Sequence, residues 1–173
     1  MSAAQLSERT RSLILAQIKA NIATELAAIR TDRNDNTVST EPPGSQSYFI
    51  FSGAHTYQPP AIFCVVDSAE IPDEKLGTNY VSAVIKVFVS AVVSSQTEQS
   101  TTIKCERYQT ALFKILHQTV IPDLTDNVKI YILCKRIQFG ELYTKSRKAD
   151  NMANFFKEVA LELEVKHWEN PTS

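Results

Sequence analysis

The segment Asn79–Ser95, NYVSAVIKVFVSAVVSS, decides the fold. Val81, Ala83, Ile85, Val87, Val89, Ala91 and Val93 are apolar at every second position, whereas Ser82, Val84, Lys86, Phe88, Ser90, Val92 and Ser94 form a mixed set. Side chains of a strand alternate between its two faces, so this pattern predicts a long strand with one continuously apolar face. A slip of one residue would turn Lys86 and three serines toward the core, which specifies the register tightly.

Upstream of this strand, Ser68–Thr78 is a polar connector punctuated by Pro72 and Gly77. Before it, Pro59-Pro60 leads into Ala61–Asp67, apolar through Val66, which reads as a strand buried on both faces or facing a partner. Tyr48–Phe51 reads as a short aromatic strand, with Gly53 and His55 in the turn after it. The stretch Thr31–Ser47 has Val38 as its one bulky aliphatic residue and is expected to be a long mobile loop, because it cannot bury enough apolar surface to offset the entropy of ordering. Ser2–Arg30 carries Leu6, Leu15, Ile18, Ile22, Leu26 and Ile29 at helical spacing behind a capping-box pattern, Ser2 to Gln5, and reads as an amphipathic helix.

Downstream, the period changes. Ser95–Glu98 has a capping pattern, and Ile103, Tyr108, Ala111, Leu112, Ile115, Leu116 and Thr119 follow at helical spacing up to Pro122. Val128–Gln138 returns to a period of two, with Val128, Ile130, Ile132 and Cys134 on one face and Lys129, Tyr131, Leu133 and Lys135 on the other. Phe139–Asn154 is polar and basic, and a second mobile loop is expected there. Phe156–Trp168 alternates again, placing Val159, Leu161, Leu163 and Val165 inward and Glu158, Glu162, Glu164 and Lys166 outward. The order of elements predicts a single α+β domain over residues 1–173, a largely antiparallel β-sheet with two α-helices packed on one face. On the other face, Val84, Phe88, Val92, Leu133 and Ile137 are more apolar than contact with water requires, which suggests a subunit interface.

Composition narrows the function. The chain has 173 residues, enough to bury roughly 70% of its unfolded surface. With 18 Lys and Arg against 19 Asp and Glu, its net charge of −1 offers no field for a polyanion, so neither a specific nucleic acid nor a membrane is expected as partner. Charges at Glu8, Arg9, Arg11, Lys19 and Glu25 break the apolar residues of Met1–Arg30, which argues against a signal peptide and for a cytosolic, soluble chain.

Reactive chemistry is not evident. The glycines, Gly44, Gly53, Gly77 and Gly140, are too scattered for a phosphate-binding loop. His55, His117 and His167 stand apart from one another and read as surface or core residues, His117 within the second helix. Cys64, Cys105 and Cys134 lie in apolar segments and read as small buried hydrophobes rather than as disulfide or zinc cysteines. Glu162 and Glu164 share a strand face, but a solvated face does not supply the desolvated cleft that acid–base catalysis needs. No catalytic residue, cofactor or metal is therefore expected.

The layout of elements resembles that of the tail terminator, or tail completion, proteins of long-tailed bacteriophages. The features that carry the likeness are the N-terminal helix, the long loop, Pro59-Pro60 feeding Ala61–Asp67, the acidic connector, Tyr80–Ser95 turning directly into a helix, and the last two strands. It spans nearly the whole chain and rests on layout rather than on signature residues; Thr31–Ser47 and Phe139–Asn154 look longer than a minimal member needs. The resemblance implies a non-enzymatic virion protein of the tail–neck region, assembled in the host cytoplasm. It would form a hexameric ring that caps the tail tube and meets the head-completion or connector protein. Another head–tail joining protein is the near alternative, and a small α+β enzyme or ligand-binding domain the distant one.

A ring repeats one head-to-tail contact between two different patches, and complementary charge is a way to match them. Lys145, Arg147 and Lys148 make one loop basic, while Asp67, Glu70, Asp73 and Glu74 make the connector acidic. These residues are the candidate subunit contacts.

Overall fold

A computed structural model describes residues 3–50, 57–70, 82–123, 128–146 and 153–169. In chain order the elements are α1 (Ala3–Asp32), β1 (Tyr48–Phe49), β2 (Ala61–Glu70), β3 (Ser82–Ser95), α2 (Glu98–Leu116), β4 (Thr119–Asp123), β5 (Val128–Phe139), β6 (Tyr143–Ser146) and β7 (Ala153–Glu169). The strands form one sheet in the order β1-β2-β3-β7-β5-β4, with β6 continuing beside β7. Among the described residues only β1 and β2 run parallel; the other neighbours are antiparallel. This is the expected α+β architecture.

The strand that opened the sequence analysis is one of the two central ones. β3 pairs with β7 without interruption from Ser82 opposite Trp168 to Ser95 opposite Phe155. Ala83, Ile85, Val87, Val89, Ala91 and Val93 are buried, as are Val159, Leu161, Leu163 and Val165 across from them. Both helices cover this face. Leu6, Ile14, Leu15, Ile18, Ile22, Leu26 and Ile29 of α1 join Cys105, Tyr108, Ala111, Leu112, Ile115 and Leu116 of α2 in the same apolar core. By length and composition Gln5–Asp32 would also suffice to cross a bilayer, but its aliphatic stripe is committed to this core.

Several local expectations change. The second helix does not run to Pro122: it starts from Thr97, whose side chain accepts the Ser100 N–H, and ends at Leu116. His117 is its extended C-cap, Gln118 takes a positive φ of 57°, and Thr119–Asp123 becomes edge strand β4. Pro122 is tolerated there because one side of an edge strand needs no N–H donor. Phe139–Asn154 is not simply a loop. β5 reaches Phe139, β7 begins at Ala153, and β6 pairs Tyr143 with Phe156 and Lys145 with Asn154. Residues 140–142 face only 157–158, so β5 and β6 form one strand line broken by a one-residue bulge.

A further bulge, between Cys134 and Arg136, reverses the facing of the residues after it. Ile137 pairs with Leu161 and packs against the core, so it does not belong to the outer-face set. Cys64 and Cys105 are buried as expected, whereas Cys134 is only half-buried; all three are free thiols. The segment 33–47 has neither helix nor strand, yet Val38 and Pro43 are buried and Arg107 and Tyr108 of α2 hydrogen-bond to it. The connector 71–81, Ser2 of the first capping pattern and most of the turn after Phe49 lie outside the described residues.

Candidate assembly surface

The sheet face turned away from the helices has two unlike regions. At the end where β2 starts and β3 finishes, Ala61, Phe63 and Val92 are buried beneath Phe49 and Tyr57. Phe49 stacks on Phe63 with ring centroids 5.1 Å apart, and Tyr57 meets Phe63 edge-on at 5.1 Å. Beside them Tyr143 of β6 stacks on Phe156 of β7 at 5.4 Å. Burial, and then a hydrogen bond with Tyr57, push the Tyr143 phenol up to about 12. Tyr57 thus joins the two aromatic groups into one patch.

The middle of the face is built from charges of alternating sign. Phe88 lies between Val65 and Glu162, and Glu162 is opposite Arg136. Glu164 is opposite Lys86 and forms an ion pair with Lys135 at 3.3 Å. Lys166 separates Val84 from Tyr131. Exposed pairs of this kind contribute little to stability, and they keep the centre of the sheet wet. Val84, Phe88 and Leu133 are half-buried within that charged field, and Val92 is covered by the aromatic patch.

Of the residues expected to join subunits, Lys145, Asp67 and Glu70 are described; Arg147, Lys148, Asp73 and Glu74 lie outside the described residues. Lys145 is exposed on β6, with its Nζ 5.7 Å from the Phe156 ring, and so borders the aromatic patch. Asp67 is exposed at the β2 bulge and Glu70 at the end of β2. Lys145 is opposite Asn154, whereas Glu70 is level with Lys166 through Val84, twelve residues further along β7. At ~3.3 Å per residue the two ends are roughly 40 Å apart. Of the described candidates, Lys145 therefore does not meet Glu70 within one subunit.

Among the described residues no group of three or more His, Cys, Asp and Glu side chains is arranged to hold a metal ion. His117 stacks on Phe113 at 4.4 Å and accepts the Cys134 N–H through Nδ1 at 3.3 Å, and His167 is buried in the core opposite Ala83. The residue that the sequence analysis overlooked is Arg107, buried on α2. Its signal was a cation one position before Tyr108, on the stripe formed by Tyr108, Ala111 and Leu112.

No protein-family model and no curated protein matches this chain. Among solved structures it is similar to a chain of the "Virion of native gene transfer agent (GTA) particle", with 9% identity, a TM-score of 0.45, and 91% of this chain and 93% of that chain covered. At that level of likeness neither a fold nor a role carries over.

Proposed function

We propose that this chain is a non-enzymatic virion protein, a phage tail terminator whose copies form a hexameric ring that caps the tail tube and meets the head-completion protein. The observation that carries this reading is the outer sheet face. An aromatic patch formed by Phe49, Tyr57, Phe63, Tyr143 and Phe156 lies at one end, on the side opposite both helices. Aromatic residues with a polar edge are the side chains that interfaces favour, since they bury much area at low entropic cost. The basic residue Lys145 borders the patch, and the acidic Asp67 and Glu70 lie far along the sheet, a separation that supports a head-to-tail contact over an internal pair.

Electron microscopy and native mass of the purified protein, with and without tail tubes, test the reading. Six-fold rings, free or capping tubes, are the expected result. A monomer that never caps a tube and holds a small molecule between helices and sheet would instead make it a ligand-binding domain or enzyme.

A further inference from the structure

Arg107 is fully buried on α2, where a guanidinium needs its charge met; Nη1 and Nη2 are hydrogen-bonded, while Nε is buried without a partner among the described residues. The partners of its two terminal nitrogens all come from one segment that has no helix or strand of its own. Nη2 donates to the Asp35 carboxylate at 2.5 Å, and Nη1 donates to the Val38 carbonyl at 2.6 Å and to Thr40 Oγ1 at 3.2 Å. The next residue, Tyr108, donates its hydroxyl to the Glu41 carbonyl. Asp35 is itself oriented by Thr37, which donates its backbone N–H at 2.9 Å and its hydroxyl at 2.5 Å.

The segment so held continues into the aromatic patch. Glu41 and Tyr108 line a cavity of about 220 Å³ together with Pro59, Pro60, Val93 and Lys104, so the fastened segment lies against the start of β2 and the end of β3. A few residues later the Ser47 carbonyl accepts the Ile62 N–H at 2.8 Å, and β1 then places Phe49 on Phe63.

We infer that residues 35–43 are a latched strap, that Arg107 and Tyr108 are its positioning residues, and that fastening it seats β1 and Phe49 in the aromatic patch. A planar fork serving a carboxylate, a carbonyl and a hydroxyl at once is a task for arginine and not for lysine, whose ammonium is a single point charge. The latch is a property of the single chain; its effect on assembly rests on the ring reading above.

Hydrogen exchange on the full chain tests the latch, comparing the parent with Arg107→Lys, Asp35→Asn and Tyr108→Phe. Peptides covering 35–49 and the Ile62 amide are expected to exchange at least ~10-fold faster in Arg107→Lys and Asp35→Asn, with a smaller rise in Tyr108→Phe, while central β3 and β7 peptides stay at the parent's rate. Unchanged exchange over 35–49 would overturn the proposal, and so would a uniform rise that includes β3 and β7, which would make Arg107 an ordinary core residue. Should Arg107→Lys fail to fold, the Asp35→Asn and Tyr108→Phe comparison decides by the same criteria. Ring formation is read separately by native mass: a parent that makes no rings but shows the segmental exchange pattern retains the latch and loses the ring.

Discussion

Val87 of β3 and Leu163 of β7 stand directly opposite one another in the middle of the longest strand pairing, and both are fully buried. The neighbouring pair, Lys86 and Glu164, points the other way, toward solvent. An aspartate at position 87 would bury an unpartnered carboxylate, at several kcal/mol against a total stability of ~5–15 kcal/mol. Val87→Asp should therefore lose the cooperative thermal transition seen by circular dichroism, while Lys86→Ala should shift stability by less than about 1 kcal/mol. A Val87→Asp variant that melts near the parent would contradict this register.

Thiol chemistry reports on the same packing. Burial pushes the Cys64 thiol up to about 12 and the Cys105 thiol up to about 11, and burial also raises the half-buried Cys134. Since the thiolate is the reacting form, access and ionisation both favour Cys134. Near pH 8 a thiol reagent should modify Cys134 first in the native chain, with Cys64 and Cys105 waiting for unfolding. Loss of the fast phase in Cys134→Ser, mapped by mass spectrometry, checks the assignment.

Reversing Lys145, Arg147 and Lys148 to Glu tests the head-to-tail contact. Ring formation should slow or fail, and assembly of the parent should weaken with added salt, because exposed charges are screened over ~8–10 Å. The melting of the single chain should barely move, since Lys145 is exposed on β6. A triple variant that assembles like the parent at low and high salt would leave these charges as solvated residues without a role in assembly.

The latch has its own pH dependence. Hydrogen bonds from Thr37, and then the charge of Arg107, hold the Asp35 carboxyl below its usual range. A depressed folded-state pKa means that the contribution is complete above the ordinary carboxylate range and is lost as pH falls through the lowered value. Exchange over 35–49, corrected for the intrinsic pH dependence, should thus stay flat from neutral pH down into that range and rise only below it. Asp35→Asn should remove the step, and a step that persists in that variant would assign it to another group.

Much of the fold was legible because its signals are local. Alternation in 82–95 and 156–168 and the aliphatic stripe of 6–29 each report which side of an element meets the core, and each was met by the structure. The edge strand β4 was not legible, because Thr119-Val120-Ile121 continues a helical spacing and only the left-handed turn at Gln118 and pairing with β5 make it a strand. Ile137 was placed on the wrong face because the bulge after Cys134 shifts the period by one, a shift whose mark in the sequence is the pair of adjacent charges Lys135-Arg136.

The sequence by itself determined the elements and the class of fold, since the period of apolar residues is a property of consecutive positions. Only the tertiary structure decided what the polar residues do. It brought Arg107 to Asp35 across 72 positions, set Tyr57 beside Tyr143, and put Lys145 and Glu70 at opposite ends of the sheet. The physical reason is that a buried charge or an aromatic patch is defined by partners distant in the chain, and no local spacing encodes which partner the sheet order will deliver.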